Sequence, residues 1–136
     1  MEKVQVSKDK DKLDPVFIQS FLTRSYWAKG RSLEQVKTTI QNSLCYGLYR
    51  GEKQIGFARV LSDFVAFAYL MDVFVVEEER GQGFGSTLMT TILNDPELAA
   101  VQRWMLGTRD AHSLYRKFGF SEIPRPEWLM GLVKTT

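Results

Sequence analysis

Six consecutive residues, Arg80-Gly81-Gln82-Gly83-Phe84-Gly85, carry more chemistry than any other stretch of this chain. Without Cβ atoms the glycines let the backbone take positive φ angles and approach an anion closely, so that several N–H groups can converge on a diphosphate. Placed between a strand and a helix, those amides add to the positive end of the helix dipole. Arg80 supplies charge-assisted hydrogen bonds. Two other phosphate loops do not fit the spacing. Gly85-Ser86-Thr87 lacks the lysine of a Gly-Lys-Ser/Thr loop, and Gly81, Gly83 and Gly85 do not form G-x-G-x-x-G. The same glycines would also serve a tight strand-to-helix turn with no ligand.

Other residues with chemical potential are scattered. Asp72 interrupts an apolar run, and a carboxylate buried there needs a partner, either as a base in a reaction or as one half of a structural ion pair. His112, the single histidine, falls in the first turn of a short helix, a surface or capping position from which proton transfer is also conceivable. Glu77, Glu78 and Glu79 read as a solvated turn. The lone Cys45 has no disulfide partner and no cluster of metal ligands, so no metal is expected and a small buried side chain is its natural role.

The elements that must position these groups follow from periodicity. Residues 3–6 suit a short opening strand. In 14–25, Phe17, Ile18, Phe21 and Leu22 share a helical face. Ser32 through Gln35 form a capping-box start, followed by Leu33, Val36, Ile40 and Leu44 on a second helix. The period then falls to two, giving a hairpin of 46–49 and 54–61 about a turn at 51–53. Residues 65–76 are rich in aromatic and β-branched types and suit a central strand. After the glycines, Phe84, Leu88 and Ile92 mark an amphipathic helix. A strand over 101–107 follows, then a short helix capped by Asp110, with Ala111, Leu114, Tyr115 and Phe118 on one face and Gly119 at its end. Residues 120–123 and 128–133 read as two closing strands.

The chain has 136 residues, enough for one domain (1–136), 44% hydrophobic and 25% charged, as in ordinary globular proteins. A net charge of +2 gives no reason to expect a nucleic-acid partner. No apolar stretch approaches the ~20 residues of a membrane span. Residues 1–15 interleave Lys and Asp instead of forming a secretory core, so a cytoplasmic location is expected. Hairpins early and a strand-loop-helix-strand-helix unit late place the fold in the α/β (α+β) class around one sheet.

With these elements in order, Arg80, Gly83 and Gly85 match the Arg/Gln-x-x-Gly-x-Gly/Ala signature of the GNAT superfamily of acyl-CoA-dependent N-acyltransferases, which the chain resembles. Val75 and Leu88 also stand where that family places such residues. Ala111-x-x-Leu114-Tyr115-x-x-Phe118-Gly119-Phe120 is similar to its Ala-x-x-Leu-Tyr-x-x-x-Gly-Phe segment. The two signatures lie one helix and one strand apart and together span about 65–123. One departure is visible: Thr108 stands where many members carry an asparagine that helps hold the cofactor.

The resemblance implies a single mixed, mostly antiparallel sheet flanked by helices, with acetyl-CoA as co-substrate. It implies that pantetheine pairs with the central strand at Val73, Phe74 and Val75, and that Arg80, Gly81, Gln82, Gly83, Phe84, Gly85 and Ser86 hold the diphosphate. It further implies that Tyr115 protonates the departing thiolate while a central-strand N–H stabilises the oxyanion. Asp72 is the suggested base. Trp27, Arg31 and Tyr69, with Tyr26 and Trp128, are candidates for the acceptor side, although core packing also explains the aromatics. The expected acceptor is the primary amine of a small molecule, the chain being a monomer or homodimer. The alternatives are a peptide or protein amine, and an acyl-CoA-binding module without turnover.

Overall fold

A computed structural model describes residues 2–134. One five-stranded sheet runs in the order β1-β2-β3-β4-β5, with β1 (Val4–Ser7), β2 (Leu44–Arg50), β3 (Lys53–Ser62), β4 (Phe67–Val75) and β5 (Arg103–Leu106). The first four strands are antiparallel neighbours, and β5 lies parallel to β4. A parallel pair needs a crossover. Here it is the glycine loop and α3 (Phe84–Leu93). The mixed, mostly antiparallel sheet with flanking helices is the expected class.

The helix starts follow their capping chemistry. In α1 (Pro15–Leu22) the Asp14 carboxylate accepts from the Phe17 N–H at 3.1 Å, and Pro15 sits where no amide donor is needed. In α2 (Leu33–Gln41) Ser32 and Gln35 exchange both bonds of a capping box. This helix is shorter than its apolar spacing suggests, because Leu44 belongs to β2. In α4 (His112–Arg116) the expected Asp110 cap is absent: the Thr108 hydroxyl accepts from the Ala111 N–H at 3.1 Å and holds the entry turn. Gly119, at φ +95°, ends the turn that follows, with the Phe120 N–H returning to the Tyr115 carbonyl.

Two apolar cores lie on opposite faces of the sheet. One joins Tyr46, Leu48, Val60, Ala68 and Leu70 to Leu88, Met89 and Ile92 of α3 and to Tyr115. The other joins Phe57 and Phe74 to Ile18 and Leu22 of α1 and Val36 and Ile40 of α2. β4 changes face partway along. Phe57 pairs with Phe74 and Arg59 with Met71, so β4 carries one residue more than β3 between these pairs. Asp72 absorbs the excess at φ +53°, a left-handed conformation. Because strand side chains alternate, one extra residue reverses the parity beyond it. Ala68 and Leu70 therefore face α3, whereas Phe74 faces α1.

The two closing strands are not formed. Residues 120–125 pair with no strand, 126–128 make a single 3₁₀ turn, and 129–134 are irregular and exposed. β5 is thus the last strand of the sheet among the described residues.

Candidate active site

The site begins where two parallel strands part. β4 and β5 pair only over 67–70 and Arg103–Leu106, after which β5 ends and β4 continues to Val75 with no strand partner on that side among the described residues. On its other side the Val76 N–H donates to the Ile55 carbonyl of β3. Since antiparallel ladders alternate, the N–H and C=O groups of Val73 and Val75 point to the open side. Arg80 Nε donates to the Val75 carbonyl at 3.0 Å, consistent with that direction.

At the end of this free edge, Gly81 and Gly83 take φ angles of +79° and +82°. A Cβ at either position would meet no atom within 4 Å, so the glycines answer to the backbone angle and not to crowding. Gly83 caps α3 without any side-chain bond, which leaves the first-turn amides of Phe84, Gly85 and Ser86 without helical acceptors. Gly85 instead allows α3 to lie against Leu114, whose Cδ2 would be 3.4 Å from an added Cβ. The loop is tied down from behind. Arg50 donates twice to Glu79, at 2.6 and 3.2 Å, Gln82 Nε2 donates to Glu79 at 3.3 Å, and the Arg50 guanidinium lies 5.7 Å from the Phe84 ring centre. The Arg50 hydrogen bonds hold the Glu79 carboxyl below its usual range.

A cleft of about 790 Å³ runs from this loop along the free edge, past Val73, Phe74, Val75, Arg80, Gly81 and Tyr115. It continues into a second space of about 490 Å³ that reaches Trp27, Arg31, Tyr69, Met71 and Asp72. Tyr115 lines both parts and stands at their junction. Its ring packs edge-on to Phe120 at 6.0 Å. Burial, then the charges of Tyr26 and Asp110, push its phenol up to about 12, so the hydroxyl keeps its proton at neutral pH.

Asp72 lies at the far end in a clamp. Its Oδ2 accepts from Arg59 Nε and Arg31 Nη1, both at 2.6 Å, and its Oδ1 from Trp27 Nε1 at 2.9 Å. Its side chain has 0% exposure. The bulge that turns Asp72 toward α1 and α2 delivers it to these partners. Trp27 and Arg31, expected on the acceptor side, are therefore engaged with Asp72 as well as lining the cleft. Tyr69 reaches the Gly107 turn, its hydroxyl 3.5 Å from where a Gly107 Cβ would stand. Above them the Tyr26 hydroxyl accepts from the Arg109 N–H at 3.0 Å, and the Arg109 guanidinium lies 3.9 Å from the Tyr26 ring centre, so the two loops meet across the opening.

Several expectations are revised by this geometry. His112 lines a separate hollow, beside Arg116 and Glu122, that adjoins the cleft through Leu106, Gly107, Thr108 and Tyr115. Trp128 also lies outside it. Three residues of the site escaped the sequence reading. Arg109 gave no signal, and Asp110 suggested only a cap. Arg59 could have been found, since it is the one charged residue within the apolar core of β3 and a buried Asp72 in the next strand needs a cation. Among the described residues no group of acidic, histidine or cysteine side chains suits a metal ion, and no helix is long and apolar enough to cross a membrane.

Comparison with known proteins gives concordant results. Residues 41–122, more than half of the chain, match the family model described as an acetyltransferase (GNAT) domain. A crystal structure assigned to the GNAT family, from Xanthomonas campestris pv. campestris, superposes with a TM-score of 0.94 at 41% identity, covering 98% of this chain and 95% of that one. A Clostridium acetobutylicum acetyltransferase crystallised with acetyl-CoA shares the fold, with a TM-score of 0.71 at 16% identity, covering 97% and 96% of the two chains. A Gibberella zeae protein named as an acetyltransferase is 29% identical over a match covering 68% of this chain, which spans 63% of that relative's length.

Proposed function

Since this chain belongs to the GNAT acetyltransferase family, we propose that it is an N-acetyltransferase that carries an acetyl group from acetyl-CoA to the primary amine of a small molecule. The observation that carries this reading is the meeting, in one cleft, of a free strand edge, a turn of outward amides and a protonated phenol. A thioester arm pairs with Val73 and Val75 as a further strand would, and its diphosphate sits against the amides of Gly81, Gly83, Phe84, Gly85 and Ser86. Gln82, Phe84 and Arg80 flank it. The fit rests on Gly81 and Gly83, whose angles expose amides in open space. The relative crystallised with acetyl-CoA supports the choice of thioester.

The chemistry then follows from the groups at the junction. The neutral amine nitrogen attacks the thioester carbonyl, a C–N bond forms and the C–S bond breaks, and the electron pair leaves on sulfur. The N–H of Val73 stabilises the oxyanion. Tyr115, a phenol raised to about 12 and so still protonated at neutral pH, gives its proton to the departing thiolate and recovers one, directly or through water, from the nitrogen, which sheds a proton as the amide forms. We assign Asp72 a positioning role instead of the base's role, since its oxygens already accept three hydrogen bonds and the clamp fixes the loop carrying Trp27 and Arg31. Asp110, an exposed carboxylate lining both parts of the cleft, attracts the ammonium form of the acceptor, which loses its proton to water. The contact of Tyr26 with Arg109 narrows the acceptor side and favours a small molecule over a folded protein.

A screen of free thiol release from acetyl-CoA against pooled amines tests the proposal. Release that depends on a small-molecule amine is expected. Stabilisation by coenzyme A with no release in any pool would instead mark a binding module, and release only with peptides would move the acceptor class.

A further inference from the structure

The acceptor half of the cleft holds one positive charge more than it balances. Arg59 and Asp72 are buried together, with side chains 5% and 0% exposed, and neutralise one another. Arg31 Nη1 then donates to the same Asp72 oxygen at 2.6 Å, a second cation on a carboxylate that already has one. At the rim, Arg109 and Asp110 are exposed and of opposite sign. The charged residues that line the hollow or lie buried behind it are therefore three arginines against two aspartates. The surplus falls on Arg31, which lines the hollow with a side chain 19% exposed. A cation so far withdrawn from water is costly without an anion of its own. Among the described residues Arg31 Nε and Nη2 donate to no protein atom, and these two groups form the planar fork that suits a carboxylate or a phosphate. The residue is fixed in advance. Its N–H donates to the Ala28 carbonyl at 3.0 Å, Gln19 Nε2 donates to its carbonyl at 3.0 Å, and Ser32 beside it opens the capping box of α2.

From this imbalance we infer that the acceptor is an amine that also carries an oxyanion, a carboxylate or a phosphate, and that Arg31 is the residue that selects it. The inference rests on the acetyltransferase reading above and assigns the other end of the same acceptor. The oxyanion takes the open fork of Arg31, the ammonium enters past Asp110, and the amine then stands at Tyr115, which lines the same hollow. A space of about 490 Å³ holds a small molecule bearing both groups, and Trp27, Tyr69 and Met71 give apolar walls to the carbons between them. The same charge discriminates against other amines. A polyamine sets its second cation against Arg31, and an amine with no anion leaves the fork to water and gains nothing from it.

Thiol release by the wild type with matched acceptors tests this without altering the protein. ω-Amino acids of increasing chain length are compared with their amides, and aminoalkyl phosphates with the corresponding amino alcohols, each rate referred to the free-amine fraction. At the preferred chain length kcat/KM is expected to be roughly 10–100-fold higher with the oxyanion than without it, the effect of a pair of hydrogen bonds between charged groups. The series that responds tells carboxylate from phosphate. Arg31→Lys keeps the charge and loses the fork, and should reduce that preference by about tenfold, chiefly through KM, in a protein that coenzyme A still stabilises. Neutral acceptors used as well as their anionic partners, a polyamine preferred to both, or a preference left intact by Arg31→Lys and Arg31→Gln overturns the inference while the transferase reading stands. Stabilisation by coenzyme A with no release from any acceptor overturns that reading, and the inference with it.

Discussion

Among the described residues the sheet leaves two strand edges open on its C-terminal side, and they differ in what lines them. The edge of β4 beyond Leu70 faces Tyr115, the glycine loop, Asp110 and the Arg-Trp clamp on Asp72, whereas the edge of β5 faces Trp104, Met105, Phe120 and Ile123. Both offer backbone groups to an extended ligand. In the proposed reading the first adds groups suited to bind an anion and to give a proton, whereas the second mixes apolar walls with His112, Arg116 and Glu122. An unpaired edge therefore does not define a function by itself: the side chains around it set what it can accept.

The largest effect separating the two edges is expected from Tyr115→Phe. Removing the acid should lower kcat by roughly 10²–10⁴-fold, while stabilisation by coenzyme A and the oligomeric state stay as they were. Unchanged turnover in a steady-state thiol assay would take Tyr115 out of the mechanism. Next comes Asp72→Asn, which leaves Arg59, with a side chain only 5% exposed, facing no anion. A loss of about 3–5 kcal/mol of stability is expected from breaking such a buried pair, read from urea unfolding. A loss below about 1 kcal/mol, as for a surface pair, would contradict the clamp.

The pH profile of kcat/KM is a milder test. Tyr115 must be protonated to act and its phenol is raised, so its acid form persists until pH approaches about 12. Activity should rise with pH as the acceptor amine loses its proton, with no decline from this group below that value. A descending limb centred near ~10, the ordinary phenol value, would contradict the buried setting. The smallest effect is expected from Gly85→Ala. Its Cβ would make an ordinary contact with Leu114, and alanine favours a helix by at most about 1 kcal/mol. The midpoint of unfolding should move little or upward, and a marked fall would mean that α3 and α4 pack more tightly than described.

How much of this was legible in the sequence depended on how local each feature is. The glycine loop and Tyr115 announce themselves because their placement depends on near neighbours: the turn angles, the helix start, the helix face. Asp72 was legible as a buried charge needing a partner, but its partners were not, since a one-residue bulge decides which face it takes and no periodicity reveals a bulge. Arg109 and Tyr26 meet across 83 residues through a backbone amide, an interaction that any residue at position 109 could make. The segments at 120–123 and 128–133 carry strand-forming residues, yet a strand needs an unbroken run of donors to join an edge, and Pro124 and Pro126, which have no N–H, interrupt it. Thr108, conspicuous as a substitution, proved to hold the turn that leads into α4, where Asp110 supplies no cap.

The claim on which the catalytic account rests is that the amides of the glycine turn grip a diphosphate. Thermal unfolding of the wild type and of Gly83→Glu, each with and without coenzyme A, tests it most directly. The wild type should be stabilised by the ligand. The variant should fold with some loss of stability, because a Cβ at position 83 meets nothing within 4 Å while the φ of +82° costs a non-glycine residue about 1–3 kcal/mol, and it should show no stabilisation by the ligand, its carboxylate standing where the phosphates belong. Equal stabilisation of both proteins would contradict the account.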